Sequence, residues 1–265
     1  DIGANIGIYS FYFRNVFKNI EAFEPLAEVT YRLESLNTSH INIHNIALSN
    51  KMGHVKLNIP IINGVTIPAR ASIDIKKSEN MERVVEIRTV DSYGFDDIDL
   101  IKIDVEGHEE SVIIGAKNTI EKSMPIIIAE IQQRHIKKKI SEVFETILNM
   151  DYNGFFIYEG ELVSIDNFVY EMYDHTTNTS LQAKYLYIPG LSVCRSKNSL
   201  SIILSIHRFT TFSFGLKNVS CLITSAIKSL CFNSCRAFII RTIAASIVCV
   251  LSSSTFFLLC ELSSD

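Results

Sequence analysis

The sequence predicts an α/β fold built on a doubly wound, mostly parallel sheet. Three observations carry that expectation. Strand-like and helix-like stretches alternate through residues 1–190, which implies right-handed crossovers. Ile126, Ile127, Ile128 and Ala129 form an unbroken apolar run of the kind buried on both faces of a parallel sheet. Carboxylates recur at or just past the strand ends, where such sheets bind ligands.

Taken in order, residues 8–17 suit a helix with its apolar side toward a sheet, and Ile20 to Phe23 a short strand ending at Glu24-Pro25. Leu26, Val29, Leu33 and Leu36 recur at helical spacing behind Pro25, a favourable helix start. Residues 41–48 alternate apolar and polar, as one strand would. Two further stretches, 54–59 and 84–90, read as strands joined by a polar connection holding Gly64, Pro68 and Ser72. That insertion is either a lid over the site or a decorative hairpin. Ile98 to Ile103 predicts a strand, followed by one helix with Val112, Ile113, Ala116 and Ile120 on a single face. The clearest helix carries Ile136, Ile140, Val143, Phe144 and Ile147. Strands at 154–158, 161–165 and 183–188 close the domain, the first two joined by a Glu159-Gly160 turn.

Composition divides the chain near residue 190. Of 265 residues, 47% are apolar and 20% charged, which accommodates a packed core and excludes disorder throughout. A net charge of −4 lacks the basic excess of a dedicated nucleic-acid binder, so no nucleic-acid partner is expected. Residues 1–190 hold all 5 Pro, all 10 Tyr and all acids except Glu261 and Asp265, whereas residues 191–265 hold all 6 Cys. Such an asymmetry marks a boundary between two parts.

Chemistry gathers at the predicted strand ends. Asp1, Gly3, Asn5 and Gly7 form a D-x-G-x-N-x-G turn leading into a helix. Glycines there let the backbone approach a ligand closely. A phosphate cradle is the first reading of such a turn. The dinucleotide spacing G-x-G-x-x-G is absent, however, and an Asp at the strand end repels a pyrophosphate and favours a cation. A nicotinamide-dependent dehydrogenase is disfavoured on the same grounds. Glu24 can accept two hydrogen bonds from a ribose diol; alternatively it merely starts the helix at Pro25. An acid for a cation, a glycine turn and a ribose acid together suit S-adenosylmethionine.

The segments DIGANIGIYS, AFEP, NIALSN and IDLIKIDVEGHE, with a closing KYLYIPG, resemble the FkbM-type S-adenosylmethionine-dependent methyltransferase family over residues 1–190. The resemblance implies a class I, Rossmann-like methyltransferase sheet whose C-terminal antiparallel hairpin supplies the one antiparallel strand. It implies that Asp1, Gly3, Asn5 and Gly7 contact the methionine part of the cofactor and that Glu24 holds the ribose. It also places Asn45 and Ala47, within Asn45 to Leu48, near the adenine. Family members carry an apolar strand before the DIGANIG turn. The sequence therefore predicts a domain with its first strand truncated, the beginning of the protein missing, and weak cofactor binding.

Methyl transfer to a hydroxyl calls for positioning and a base. The candidate catalytic residues are Asp104, Glu106 and His108, with Glu109 and Glu130 nearby. Asp104 stands at a strand end, His108 has a pKa suited to neutral pH, and Glu106 could orient either or cap the next helix. His108 could equally be a structural loop histidine. Asp104-x-Glu106-x-His108 also reads as a metal set if the backbone stays extended, but Gly107 argues for a turn, so no metal is expected. His40, His44, His54 and His135 read as surface or strand-packing residues. The resemblance implies an acceptor hydroxyl on a sugar, glycan or secondary metabolite. The competing expectation is a non-catalytic module that binds cofactor or a partner.

Residues 191–265 form a Ser/Cys-rich hydrophobic tail. Thr242 to Cys260 is an uncharged run about as long as a bilayer is thick, preceded by Arg236 and Arg241. Membrane contact is expected only through this 242–260 segment. The alternatives are out-of-frame translation and a genuine small domain. Without the anchor, the expected location is the cytoplasm.

Overall fold

A computed structural model describes residues 1–35, 39–76, 78–158, 161–169 and 184–189. The expectations for Leu36, the Glu159-Gly160 turn and the whole 191–265 tail lie outside these residues. Most described residues belong to one compact unit, residues 1–156 with 164–194. A second unit, 157–163 with 195–265, is described only at 157–158 and 161–163.

The elements run α1 (Ile8–Phe13), β1 (Ile20–Phe23), α2 (Ala27–Ser35), β2 (Ile41–His44), β3 (Ala47–Leu48), β4 (Gly53–Ile62), β5 (Val65–Thr66) and β6 (Asn80–Arg88). There follow β7 (Leu100–Ile103), α3 (Glu109–Gly115), α4 (Lys117–Ser123), β8 (Ile126–Glu130), α5 (Ile140–Leu148), β9 (Tyr152–Tyr158), β10 (Glu161–Ser164) and β11 (Lys184–Pro189). The architecture is mixed α/β with parallel strands. β1 pairs in parallel with β2, and β7 in parallel with β8. β11 runs antiparallel to both β8 and β9.

Residues 1–3 join the two halves of the sheet. Ile2 bridges in parallel to Phe23 of β1 and to Ile103 of β7. Ile2 N donates to Lys102 O at 2.9 Å, Asp104 N to Ile2 O at 3.1 Å, and Phe23 N to Asp1 O at 2.9 Å. Below residues 1–3 lies a cavity of about 470 Å³, lined by Ile20 and Glu21 on one side and Leu100 to Lys102 on the other.

Burial follows the predicted apolar faces. Ala22, Ile103, Ile113, Ile120 and Ile127 are fully buried, and α5 turns Ile140, Val143, Phe144 and Ile147 inward. Phe144 meets Tyr185 of β11 with ring centroids 4.5 Å apart. The insertion is a long hairpin, β4 against β6 from Gly53–Ile87 to Pro60–Asn80. Its inner face packs Leu57, Ile59, Val85 and Ile87 with Leu26 and Ala47.

Several expected boundaries change; the strands expected at 98–103 and 84–90, for instance, run Leu100–Ile103 and Asn80–Arg88. The 41–48 run is two strands, because Asn45 Nδ2 reaches back 3.2 Å to Glu24 O and Thr30 Oγ1 and turns the chain. β3 then pairs with β6 of the insertion instead of extending β2. The helix after β7 breaks at Ala116 (φ −109°), and α4 starts afresh where Asp91 accepts from Thr119 N at 2.8 Å and Asn118 N at 3.1 Å. α1 ends at Phe13 in a tight turn, with Val16 N and Phe17 N both donating to Phe13 O. Ile136 precedes α5, extended at φ −118°, ψ 145°.

Candidate functional site

The carboxyl ends of β1 and β7 and the stretch before β3 open onto one small cavity of about 90 Å³. Gly3, Asn5, Glu24, Ala47, Asp104, Glu106 and His108 line it. Of the expected site residues, Asp1, Gly7 and Asn45 stand off this lining.

The glycine turn is held by its surroundings. Gly3 has φ +70°, and a Cβ there would meet Asp104 O at 1.8 Å, so only glycine lets the turn press on the end of β7. Asn5 is also left-handed, at φ 50°. Its backbone N–H donates to Glu24 Oε2 at 3.0 Å, while Leu26 N donates to Glu24 Oε1 at 3.1 Å. Glu24 thus ties the turn to the start of α2 and lines the cavity as well. Each of its oxygens keeps a lone pair for a further donor. Burial raises its pKa, and the two N–H groups pull it back.

Asp1 is turned the other way. Its Oδ2 accepts from Ser10 N at 3.1 Å and Ser10 Oγ at 2.7 Å, anchoring α1, and its Oδ1 lies 3.3 Å from Lys102 Nζ. Gly7 packs on Leu33, and Asn45 serves the turn between β2 and β3.

The Asp104 to Glu109 loop carries the acids. Glu106 adopts φ 54°, a conformation that costs a non-glycine residue energy and is enriched at functional sites. Burial first, then the charges of Asp104 and Glu130, raise its pKa to about 7, against the pull of Arg134 and Arg70. His135 Nδ1 lies 3.0 Å from Glu106 Oε2. Gly107 (φ +103°) keeps the two strands of this contact close, since a Cβ there would meet His135 O at 2.7 Å. Glu109 Oε1 caps the loop from inside, accepting from Gly107 N at 2.9 Å and Val105 N at 3.3 Å.

His108 is committed at both nitrogens. Nδ1 lies 2.6 Å from Asp74 Oδ2 and Nε2 2.9 Å from Ser49 Oγ. The constellation has the residue types of a hydrolytic triad, yet Ser49 is 2% exposed and off the cavity lining, so no substrate reaches its hydroxyl. Together with Ser72 Oγ, which donates to Glu106 O at 2.6 Å, this relay fastens the insertion to the acid loop. A base role for His108 would require one of its bonds to be exchanged. Asp104, Glu106 and His108 point to different partners, and among the described residues no group of three His, Cys, Asp or Glu side chains could hold a metal.

Ser49, Asp74, Lys102 and His135 were not singled out in the sequence as site residues. Lys102 left a signal, a lone lysine inside the apolar strand IDLIKID. His135 left none, since its contact with Glu106 is made by tertiary packing. Among the described residues no helix is long and apolar enough to cross a membrane.

A methyltransferase FkbM from Methylobacillus flagellatus KT, known from its crystal structure, is 16% identical, with a TM-score of 0.47. The likeness covers 71% of this chain and 42% of that one, so the chain spans less than half the length of this relative. No curated protein matches. Residues 1–156 match the Methyltransferase FkbM domain, and on a match over more than half of its length the chain belongs to that family.

Proposed function

We propose that this chain is an S-adenosylmethionine-dependent methyltransferase (EC 2.1.1 class) acting on a hydroxyl of a sugar, glycan or secondary metabolite. The doubly wound, Rossmann-like arrangement with its antiparallel closing strand is part of that reading. The observation that carries it is Glu24, a cavity-lining carboxylate with lone pairs to spare beside a turn that no Cβ could enter. Glu24 suits the ribose diol, and Ile46, Ala47, Leu48 and Leu57 give an apolar wall suited to a purine. When bound, the cofactor supplies an electrophilic methyl: its sulfur–carbon bond breaks with the electron pair staying on sulfur as the acceptor oxygen bonds the carbon.

Glu106 is the group suited to take the hydroxyl proton. Its pKa of about 7 lies near neutrality, where a general base is most effective, and His135 Nδ1, 3.0 Å away, is placed to steady the carboxylate as it gains or loses charge. Asp104, at the end of β7, completes the acidic wall. Calorimetry tests the reading. S-adenosylhomocysteine is expected to bind at micromolar concentration, and an absence of heat at high micromolar ligand would overturn it.

A further inference from the structure

Lys102 is 6% exposed, inside a sheet, on a strand whose other side chains are apolar. A buried ammonium is costly unless every proton finds a partner, so its surroundings report what it is for. Its Nζ donates to Gly3 O at 2.7 Å and Ile2 O at 3.4 Å, and lies 3.3 Å from Asp1 Oδ1 and 3.8 Å from Asp104 Oδ2. It also stands 5.1 Å from the centre of the Tyr9 ring. Gly3 and Asp104, two of these partners, line the cavity, so the ammonium sits directly beneath the floor on which Glu24 and Glu106 open. Among the described residues Asp1 Oδ1 has no hydrogen-bond partner and lies 3.3 Å from Lys102 Nζ, so without the ammonium a buried carboxylate oxygen would lose its counter-charge.

The floor therefore combines several carboxylates with one fixed cation held in a low-dielectric setting, where a unit charge acts over several ångströms. Methyl transfer removes one positive charge from the cofactor: the sulfonium becomes a thioether, its methyl goes to oxygen and the hydroxyl proton goes to the base. A cation under the site raises the free energy of the sulfonium form relative to the thioether form. We propose that Lys102 is a specificity-determining residue that sets the relative affinity of the site for the sulfonium and thioether forms of the cofactor. This rests on the cofactor assignment above and goes beyond it. Lys102 disfavours the charged ground state and leaves the uncharged one untouched, which assists the transfer itself.

The test is calorimetric titration of S-adenosylmethionine and S-adenosylhomocysteine into the full chain and into Lys102→Met, Lys102→Gln, Lys102→Arg and Asp104→Asn. Lys102→Met is expected to move the ratio of the two dissociation constants about tenfold in favour of S-adenosylmethionine. Lys102→Arg, which keeps the charge, should leave the ratio where it is. Asp104→Asn, at a more exposed position, should move it toward S-adenosylhomocysteine, and Lys102→Gln, polar and uncharged, carries the same expectation as Lys102→Met and keeps the test open if that variant fails to fold. A role for Lys102 in supporting the turn alone would weaken both ligands equally. Binding of both ligands with an unchanged ratio in Lys102→Met or Lys102→Gln and in Asp104→Asn overturns the inference and spares the cofactor assignment. If neither ligand binds the unmodified chain, the cofactor assignment itself fails.

Discussion

Glu109 shows how one buried acid shapes the behaviour of its loop. It is 2% exposed; Oε1 accepts two backbone N–H groups, while Oε2 has no hydrogen-bond partner among the described residues. Burial raises its pKa to about 7, even against those two donors. A carboxyl whose folded pKa exceeds its unfolded value of 4.5 favours the fold fully below pH 4.5, and that contribution is lost as pH rises through 7. The loss is on the order of 3 kcal/mol. Glu109→Gln keeps an oxygen for both N–H groups and carries no charge. Its unfolding free energy, followed by denaturant between pH 5 and pH 8, should therefore fall less steeply than that of the unmodified chain. A slope identical in the two proteins would show that Glu109 is not the titrating group. Glu24, for which the sequence suggests a ribose, accepts from Asn5 N and Leu26 N, so its removal is expected to cost stability as well as any affinity it provides.

Among the elements, the acid loop between β7 and α3 depends on two neighbours. The insertion grips it through Asp74, Ser72 and Ser49, and the turn after β8 grips it through His135. Gly107 is the point where loop and turn touch, so Gly107→Ala should force them apart. Loss of methyl transfer with S-adenosylhomocysteine binding kept within about threefold is the expected outcome, because Glu24 and Gly3 lie on other elements. Equal loss of binding and turnover would show that the acid loop belongs to the cofactor site alone. β8, an unbroken apolar run, and α5, an apolar stripe at helical spacing, were legible in the sequence because burial on both faces of a strand or on one face of a helix dictates those patterns. The break at Asn45 and the restart of α4 were not, since each depends on a side chain that finds a partner far along the chain: Asn45 on Thr30, Asp91 on Thr119. The site was legible for the same reason in part. Gly3, Glu24 and Glu106 sit in local motifs, whereas His135, Ser49 and Asp74 reach the loop only through folding.

For the molecule as a whole, the sheet brings two lines of chemistry to one edge. Glu24 follows β1 and Asp104 follows β7, and Asp1 to Gly3 run between the two strands, so Glu24, Asp104 and Glu106 face the same cavity. The space beneath Asp1 to Gly3, lined by β1 and β7, holds a cavity of about 470 Å³. The central claim is that the cavity at this edge grips a ribose through Glu24. Its most direct test is to titrate S-adenosylhomocysteine and its 2′,3′-dideoxyribose analogue into the unmodified protein. Loss of two charge-assisted hydrogen bonds should weaken the analogue by at least about tenfold, since 1.4 kcal/mol corresponds to that factor. Equal affinity for the two ligands would remove Glu24 from the ribose and contradict the account.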